Sequence, residues 1–287
     1  MAPSKGLYLM DGRESQVVLI TGCSSGIGRA LAEEFLRTGH RVAATARTVE
    51  SIADLDDPRA LLSRMDVTRA DDIERVTAEV LAWAGRIDIL VNNAGWGLIG
   101  PVAELELEDL RLQLETNVVG PVALIRAVAP HLAAQRSGRI VNVGSVSGVT
   151  ATPFAGAYCA SKGALHLLSD ALRMELAPFG IQVITVQPGA VASSFATRAV
   201  RGLERYRSGS LYSAVADFIE ARARLSENRA TPAADFAREV VAAVTRPRPP
   251  AVLRVGRGSR LLPAIGRLPS RLRDRLLGRR FGLDRLP

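Results

Sequence analysis

Short, uninterrupted apolar runs recur along the 287-residue chain, and most are followed by a stretch with helical period. QVVLIT (16–21) precedes RALAEEFLRTGH (29–40), and RVAATA (41–46) comes next. ALLSRMDV (60–67) precedes DDIERVTAEVLAWAG (71–85), and IDILVN (87–92) precedes a long helical stretch over 104–135. GRIVNVGS (138–145), a helix over 157–177, IQVITVQ (181–187), a helix AADFAREVVAAV (233–244) and AVLRVG (251–256) complete the series. Strands that are apolar at every position must be covered on both faces, which is the condition of a parallel sheet. Repeated β-α units therefore predict an α/β fold: an open, doubly wound parallel sheet of about seven strands, helices on both faces, ligands at the strands' carboxyl ends.

The glycine-rich stretch TGCSSGIG (21–28) sits between the first strand and the first helix. Gly22, Gly26 and Gly28 permit a tight turn and let backbone N–H groups approach a phosphate at the helix N-terminus. The strand before it and the helix after it raise this loop above an ordinary glycine turn.

Farther on, GSVSGVTATPFAGAYCASKGAL (144–165) carries Tyr158 and Lys162 at i and i+4, on one helical face. A free phenol, with a pKa of about 10, is a poor base at neutral pH. A neighbouring ammonium favours the phenolate and is expected to lower that value. The pair then suits proton transfer in carbonyl–alcohol chemistry, with Ser145 at a strand end able to hydrogen-bond the same oxygen.

With TGCSSGIG, DVT (66–68), NNAG (92–95), ETNVVG (115–120), GS (144–145), YCASK (158–162) and PGAV (188–191) in this order, residues 16–190 resemble the short-chain dehydrogenase/reductase family. The resemblance implies a Rossmann-type fold and an NAD(P)-dependent oxidoreductase. It implies Tyr158 as general acid/base, Lys162 on the nicotinamide ribose, Ser145 on the carbonyl and Asn117 holding a water for proton relay. On the cofactor side it implies Ile27 at the pyrophosphate, Asp66 and Val67 at the adenine, Asn93, Ala94 and Gly95 along the adenosine ribose, and Pro188 and Gly189 at the nicotinamide. Relatives are commonly homodimers or homotetramers built on long helices, here those over 104–135 and 157–177.

The second strand ends without the acid that often reads a ribose; it ends on Arg47, 19 residues after Gly28. A carboxylate there would repel a 2′-phosphate, whereas an arginine pairs with it bidentately. Ser24 and Ser25 can add hydroxyl donors. The cofactor expectation is NADP(H) in preference to NAD(H), with Thr45 and Thr48 as the neighbours that could tolerate a plain ribose.

Net charge is +8, but residues 246–287 hold twelve Arg and two Asp, a net +10, which leaves the rest at −2. A near-neutral body with a basic tail argues against nucleic acid as partner. Two cysteines, Cys23 and Cys159, fit a reducing, cytoplasmic compartment, each as a small slot-filler rather than a redox sensor. Three scattered histidines show no metal-ligand spacing, so no metal is expected. The N-terminal apolar run is too short for a secretory signal, and no uncharged run approaches the ~20 residues of a membrane span.

The domain expectation is one catalytic domain over 1–256 and a basic amphipathic tail over 257–287. Within the former, 190–230 breaks the β-α rhythm with Phe195, Tyr206, Tyr212 and Phe218, and reads as a substrate lid or else a surface insertion. In the tail, Leu261, Ile265, Leu268, Leu272 and Leu276 form an apolar stripe among arginines, with Pro263 and Pro269 dividing it into two short helices. It reads as peripheral contact with the inner face of a membrane, a cover over the cleft, or a subunit contact. The motif details look closest to the branch of 17β-hydroxysteroid dehydrogenases, retinol dehydrogenases and acyl-dihydroxyacetone-phosphate reductase. This implies a lipid-like carbonyl or alcohol substrate; the alternatives are a polar or carrier-bound small ketone, or a non-catalytic NADP-binding protein.

Overall fold

The computed structural model describes residues 15–193, 195–200, 202–226 and 229–287; the N-terminal apolar run lies outside them. Seven parallel strands form one sheet: β1 (Val17–Ile20), β2 (Arg41–Ala46), β3 (Ala60–Arg64), β4 (Ile89–Asn92), β5 (Gly138–Val143), β6 (Ile181–Pro188) and β7 (Val252–Val255). Their order is β3-β2-β1-β4-β5-β6-β7, so the winding reverses between β1 and β4. A crevice opens there at the carboxyl edge, because the connections leave β1 and β4 in opposite directions.

Helices α1 (Gly26–Arg37) and α8 (Ala233–Val244) cover one face, burying Leu31, Phe35, Phe236 and Val240. Helices α2 (Ala70–Ala84), α4 (Gly120–Gln135) and α5 (Gly156–Leu176) cover the other. Both faces are thus closed, which is why the strand sequences do not alternate. The stretch Leu107–Gln135 has the length and hydropathy of a membrane span, yet Leu124, Ile125, Val128 and Leu132 are buried in this core.

The expected single helix over 104–135 is instead three pieces: α3 (Leu107–Leu114), a π-helical turn over Glu115–Val119, and α4. Pro121 has no N–H to donate to the carbonyl four residues back, so the regular ladder breaks there. The widened turn carries Asn117, fully buried. The 190–230 stretch contains α6 (Phe195–Ala199) and α7 (Ala216–Ala223), and the C-terminal stretch forms α9 (Leu261–Ile265), with Pro263 inside it, and α10 (Ser270–Arg280), which starts directly after Pro269.

One buried polar chain ties the sheet to α5. The Asn92 amide donates to Asn142 Oδ1 at 2.8 Å, Asn142 donates to Ser169 Oγ at 2.8 Å, and Ser169 donates to the Leu165 carbonyl at 2.6 Å. The Asn92 amide depends on Asn142 for its acceptor, and the Asn142 amide depends on Ser169. Asn142→Leu, close in volume, leaves Asn92 and Ser169 each short of a partner; it should cost about 2–4 kcal/mol, read as a lower urea midpoint. An unchanged midpoint would show that the chain adds nothing to the docking of α5.

Candidate active site

The glycine loop is held against the end of β4. Thr21 Oγ1 accepts the N–H groups of Asn93 and Ala94 at 3.0 and 2.9 Å, and the Asn93 amide donates to the carbonyls of Thr21 and Gly22 at 2.9 and 3.2 Å. A Cβ on Gly28 would collide with the Gly22 carbonyl and the Asn93 amide, and Gly22 and Gly26 have φ of 74° and 60°. Only glycine permits this approach. The result is a bare backbone cradle at the N-terminus of α1, lined by Ser25 and Ile27, which fits a diphosphate. Ser24 lies in the same turn without lining the cleft. Cys23 is buried under the loop, its N–H on the Thr45 carbonyl at 2.8 Å; burial pushes its thiol up to about 12, so it is an inert slot-filler.

At the end of β2, Thr45 turns inward and donates to the Ile20 carbonyl at 3.1 Å. Arg47 is exposed, with no carboxylate paired to it among the described residues. Asp66 Oδ1 accepts the Thr68 N–H and hydroxyl at 3.0 and 2.8 Å, closing a turn that sets Val67 against Gly120 at the start of α4. Arg47, Asp66 and Val67 therefore stand along the edge, outside the deep cleft.

Ser145, Tyr158 and Lys162 meet in that cleft with Asn93, Gly95, Pro188 and Gly189. The cleft has a volume of about 480 Å³. Ser145 Oγ accepts the Ser147 N–H at 3.1 Å, so its own hydroxyl hydrogen can be donated into the cleft, where the Tyr158 phenol is within its reach. Lys162, 6% exposed, donates to the Val143 carbonyl at 2.8 Å. Asn117 lies behind, not on the wall: its amide donates to the Trp96 carbonyl at 2.9 Å and Ser161 Oγ at 3.0 Å, and accepts the Trp96 N–H at 3.2 Å. Beyond Gly189, where a Cβ would collide with the Arg257 carbonyl, most of the wall is apolar side chain. Phe195 of α6 packs against Tyr158 with centroids 5.2 Å apart and ring planes tilted by 55°, and Leu261, Leu262, Ile265, Leu277 and Phe281 come from the tail.

Residues 16–204 match the family model for short chain dehydrogenase. This chain belongs to the short-chain dehydrogenase family. It is 36% identical over 182 residues to 3-ketodihydrosphingosine reductase of Bacteroides thetaiotaomicron, covering 63% of this chain and 66% of that one. It is 39% identical over 183 residues to NADPH-dependent 1-acyldihydroxyacetone phosphate reductase of Schizosaccharomyces pombe, covering 63% and 62%. The match thus spans somewhat under two thirds of each relative. A short-chain dehydrogenase from Streptomyces avermitilis superposes with a TM-score of 0.76 at 34% identity, over 88% of this chain and 92% of that one. Similar folds include a serine dehydrogenase complexed with NADP+ (TM-score 0.72, 27% identity, 84% and 94% covered). Another is a Burkholderia phymatum short-chain dehydrogenase/reductase in complex with NAD (TM-score 0.73, 28% identity, 92% and 95% covered).

Electrostatics in this dehydrogenase differ from the expectation for an isolated Tyr–Lys pair. Burial pushes the Tyr158 phenol above its ordinary value, and the Ser145 hydroxyl and Arg222 guanidinium only partly offset that. Lys162 is itself pulled down to about 8 by burial. At neutral pH the phenol is protonated and the lysine charged. Desolvation, not the neighbouring ammonium, sets the tyrosine here.

Three residues that sequence reasoning did not single out shape the dehydrogenase's site. Trp96 lines it beside Gly95, Arg222 lines it from α7, and His166 accepts the Ser145 N–H on Nε2 at 3.4 Å. Only the position of His166 one turn beyond Lys162 could have flagged it. Burial and then the Lys162 charge push His166 down to about 4. An unfolded histidine protonates near 6.5, so the unfolded chain takes up a proton first and stability falls as pH drops from about 6.5 to 4. The loss should reach about 3 kcal/mol. His166→Gln, which retains an acceptor, should flatten unfolding free energies measured across that window; parallel curves for the two proteins would refute the assignment.

Proposed function

We propose that the chain is an NADP(H)-dependent reductase of a hydrophobic, lipid-like carbonyl compound, interconverting it with its alcohol. The observation that carries this reading is the meeting of Ser145, Tyr158 and Lys162 in a cleft whose outer wall is apolar. Residues 1–256 then make one catalytic domain, 190–230 its lid, and 257–287 a tail that also lines the cleft. The names of the two reductase relatives, which concern a ketosphingoid base and an acyl ketone phosphate, agree with a lipid-like substrate.

When bound, the nicotinamide supplies hydride to the carbonyl carbon. The protonated Tyr158 phenol gives its proton to the carbonyl oxygen, which removes the developing negative charge. Ser145 donates its hydroxyl hydrogen to that same oxygen and fixes its position. Lys162 stabilises the phenolate left behind and would reach the nicotinamide ribose. Asn117 holds Trp96 and Ser161, and would support the water that returns a proton. Gly22, Gly26, Ile27 and Gly28 would hold the pyrophosphate, with Ser24 and Ser25 beside it. Asn93, Ala94 and Gly95 would follow the adenosine ribose, Asp66 and Val67 the adenine, and Pro188 and Gly189 the nicotinamide. Arg47 would pair with the 2′-phosphate, and the inward turn of Thr45 leaves it the nearer reader of that group.

Exposed Leu107, Leu112, Leu114, Leu167 and Met174 on α3 and α5 would be covered in a homodimer or homotetramer. Exposed Leu261, Leu272 and Leu276, among arginines, suit the surface of an anionic membrane.

In an NADPH-oxidation assay with medium- and long-chain ketones, Tyr158→Phe should lower kcat by about a hundredfold or more; an unaffected rate would overturn the mechanism. Arg47→Asp should shift the ratio of kcat/KM for NADPH over NADH by about tenfold or more towards NADH. A ratio indifferent to this change would remove the cofactor assignment.

A further inference from the structure

Arg222 is 7% exposed, lines the same cleft as Tyr158, and has no carboxylate partner among the described residues. Its Nε donates to Thr152 Oγ1 at 2.9 Å. That one bond uses one of five guanidinium N–H groups and fixes the plane of the rest. A buried cation without a counter-charge is costly, and such groups are ordinarily paired. The neighbourhood deepens the anomaly. Lys162, Arg222, Arg257 and Arg280 line the cleft, and no Asp or Glu does among the described residues. Arg257 and Arg280 are exposed, and Lys162 is engaged with Val143. Arg222 alone offers an enclosed, uncommitted charge.

Its support is rigid. Thr152 is buried in the loop leading to α5, and Phe154, two residues on, holds φ of 63° with its ring buried against Tyr212, centroids 5.8 Å apart. A bulky residue tolerates that conformation only where packing enforces it. On the other side, α7 is anchored by Ile219 and Ala223 in the cluster that includes Leu277 and Phe281 of the tail. The cation is thus held in place between two packed elements, with the apolar wall beside it.

We propose that Arg222 is the anion-binding residue of the substrate pocket, so that the carbonyl substrate is an amphiphile bearing a carboxylate or phosphate group, its apolar part against the tail. This rests on the reading of the cleft as a reductase site. A guanidinium presents two parallel N–H groups to either oxyanion, and an excluded-water setting strengthens the pairing. The same charge lies close enough to Tyr158 to act on its phenol. A neutral ketone would leave the cation unpaired on binding, so the pocket selects against it.

The test compares ligands of matched chain length on the full chain with NADP+ bound. Calorimetric titration with decanoate, decyl phosphate and decan-1-ol should show one or both acids binding at least about tenfold more tightly than the alcohol. Which acid binds distinguishes the two headgroups. Arg222→Gln should bring acid and alcohol together, while Arg222→Lys retains part of the difference. In turnover, the kcat/KM ratio of an ω-carboxylated or phosphorylated ketone over its neutral counterpart should fall likewise in Arg222→Gln. The proposal is overturned if wild-type protein binds the alcohol as well as the acids, if the preference survives Arg222→Gln, or if that variant weakens NADPH instead. The wild-type comparison stands without a variant, so a misfolded mutant does not spare it. Turnover of neutral ketones with no preference for acids sinks this inference alone; tight binding of acids with no ketone reduced sinks the reductase reading.

Discussion

A parallel sheet covered on both faces leaves polar chemistry one good address, the carboxyl edge where successive connections diverge. Everything in this chain's cleft depends on that divergence between β1 and β4. The glycine cradle leaves β1, the Asn93–Gly95 segment leaves β4, Ser145 follows β5, and Pro188 ends β6. Backbone pairing across the sheet fixes the spacing of these groups, so no loop has to organise the site unaided. The polar chain from Asn92 through Asn142 to Ser169 then locks α5, and with it Tyr158 and Lys162, to the same edge.

Within this frame, burial does chemical work. Enclosing Tyr158 keeps its phenol protonated, and enclosing Lys162 brings its ammonium down to about 8 without a carboxylate to neutralise it. A proton donor beside an uncompensated positive charge suits a step that leaves a phenolate behind. Arg222 adds a second such charge from α7. The tail supplies the opposite character, an apolar wall, so one cleft combines cationic depth with a hydrophobic flank. That combination distinguishes this pocket from its shared Rossmann frame, since sites are grafted onto folds.

Much of the sheet was legible in the sequence because continuous apolar runs have one stable solution, and the strand ends fell within a few residues of those runs. Tyr158 and Lys162 were legible because their relation is local, four residues on one helix. The π-helical turn was not: what holds Asn117 is Trp96, 21 residues before it, and Ser161, 44 after. Arg222 was hidden for the same reason, its partner Thr152 lying 70 residues away in a different element. The tail's leucine stripe gave two helices correctly, but not which residues face inward. Leu277 and Phe281, outside that stripe, are buried, while Leu272 and Leu276 within it are exposed. Such assignments depend on what packs opposite, which periodicity does not record.

The central claim is that the neutral Tyr158 phenol, beside a charged Lys162, is the proton donor in carbonyl reduction. The pH dependence of single-turnover NADPH oxidation with a reducible ketone tests it most directly, because product release does not mask the step. The account predicts a rate constant level through neutral pH that declines above about pH 8, as Lys162 and then the phenol lose their protons. A rate constant that instead rises with pH across this range would contradict it.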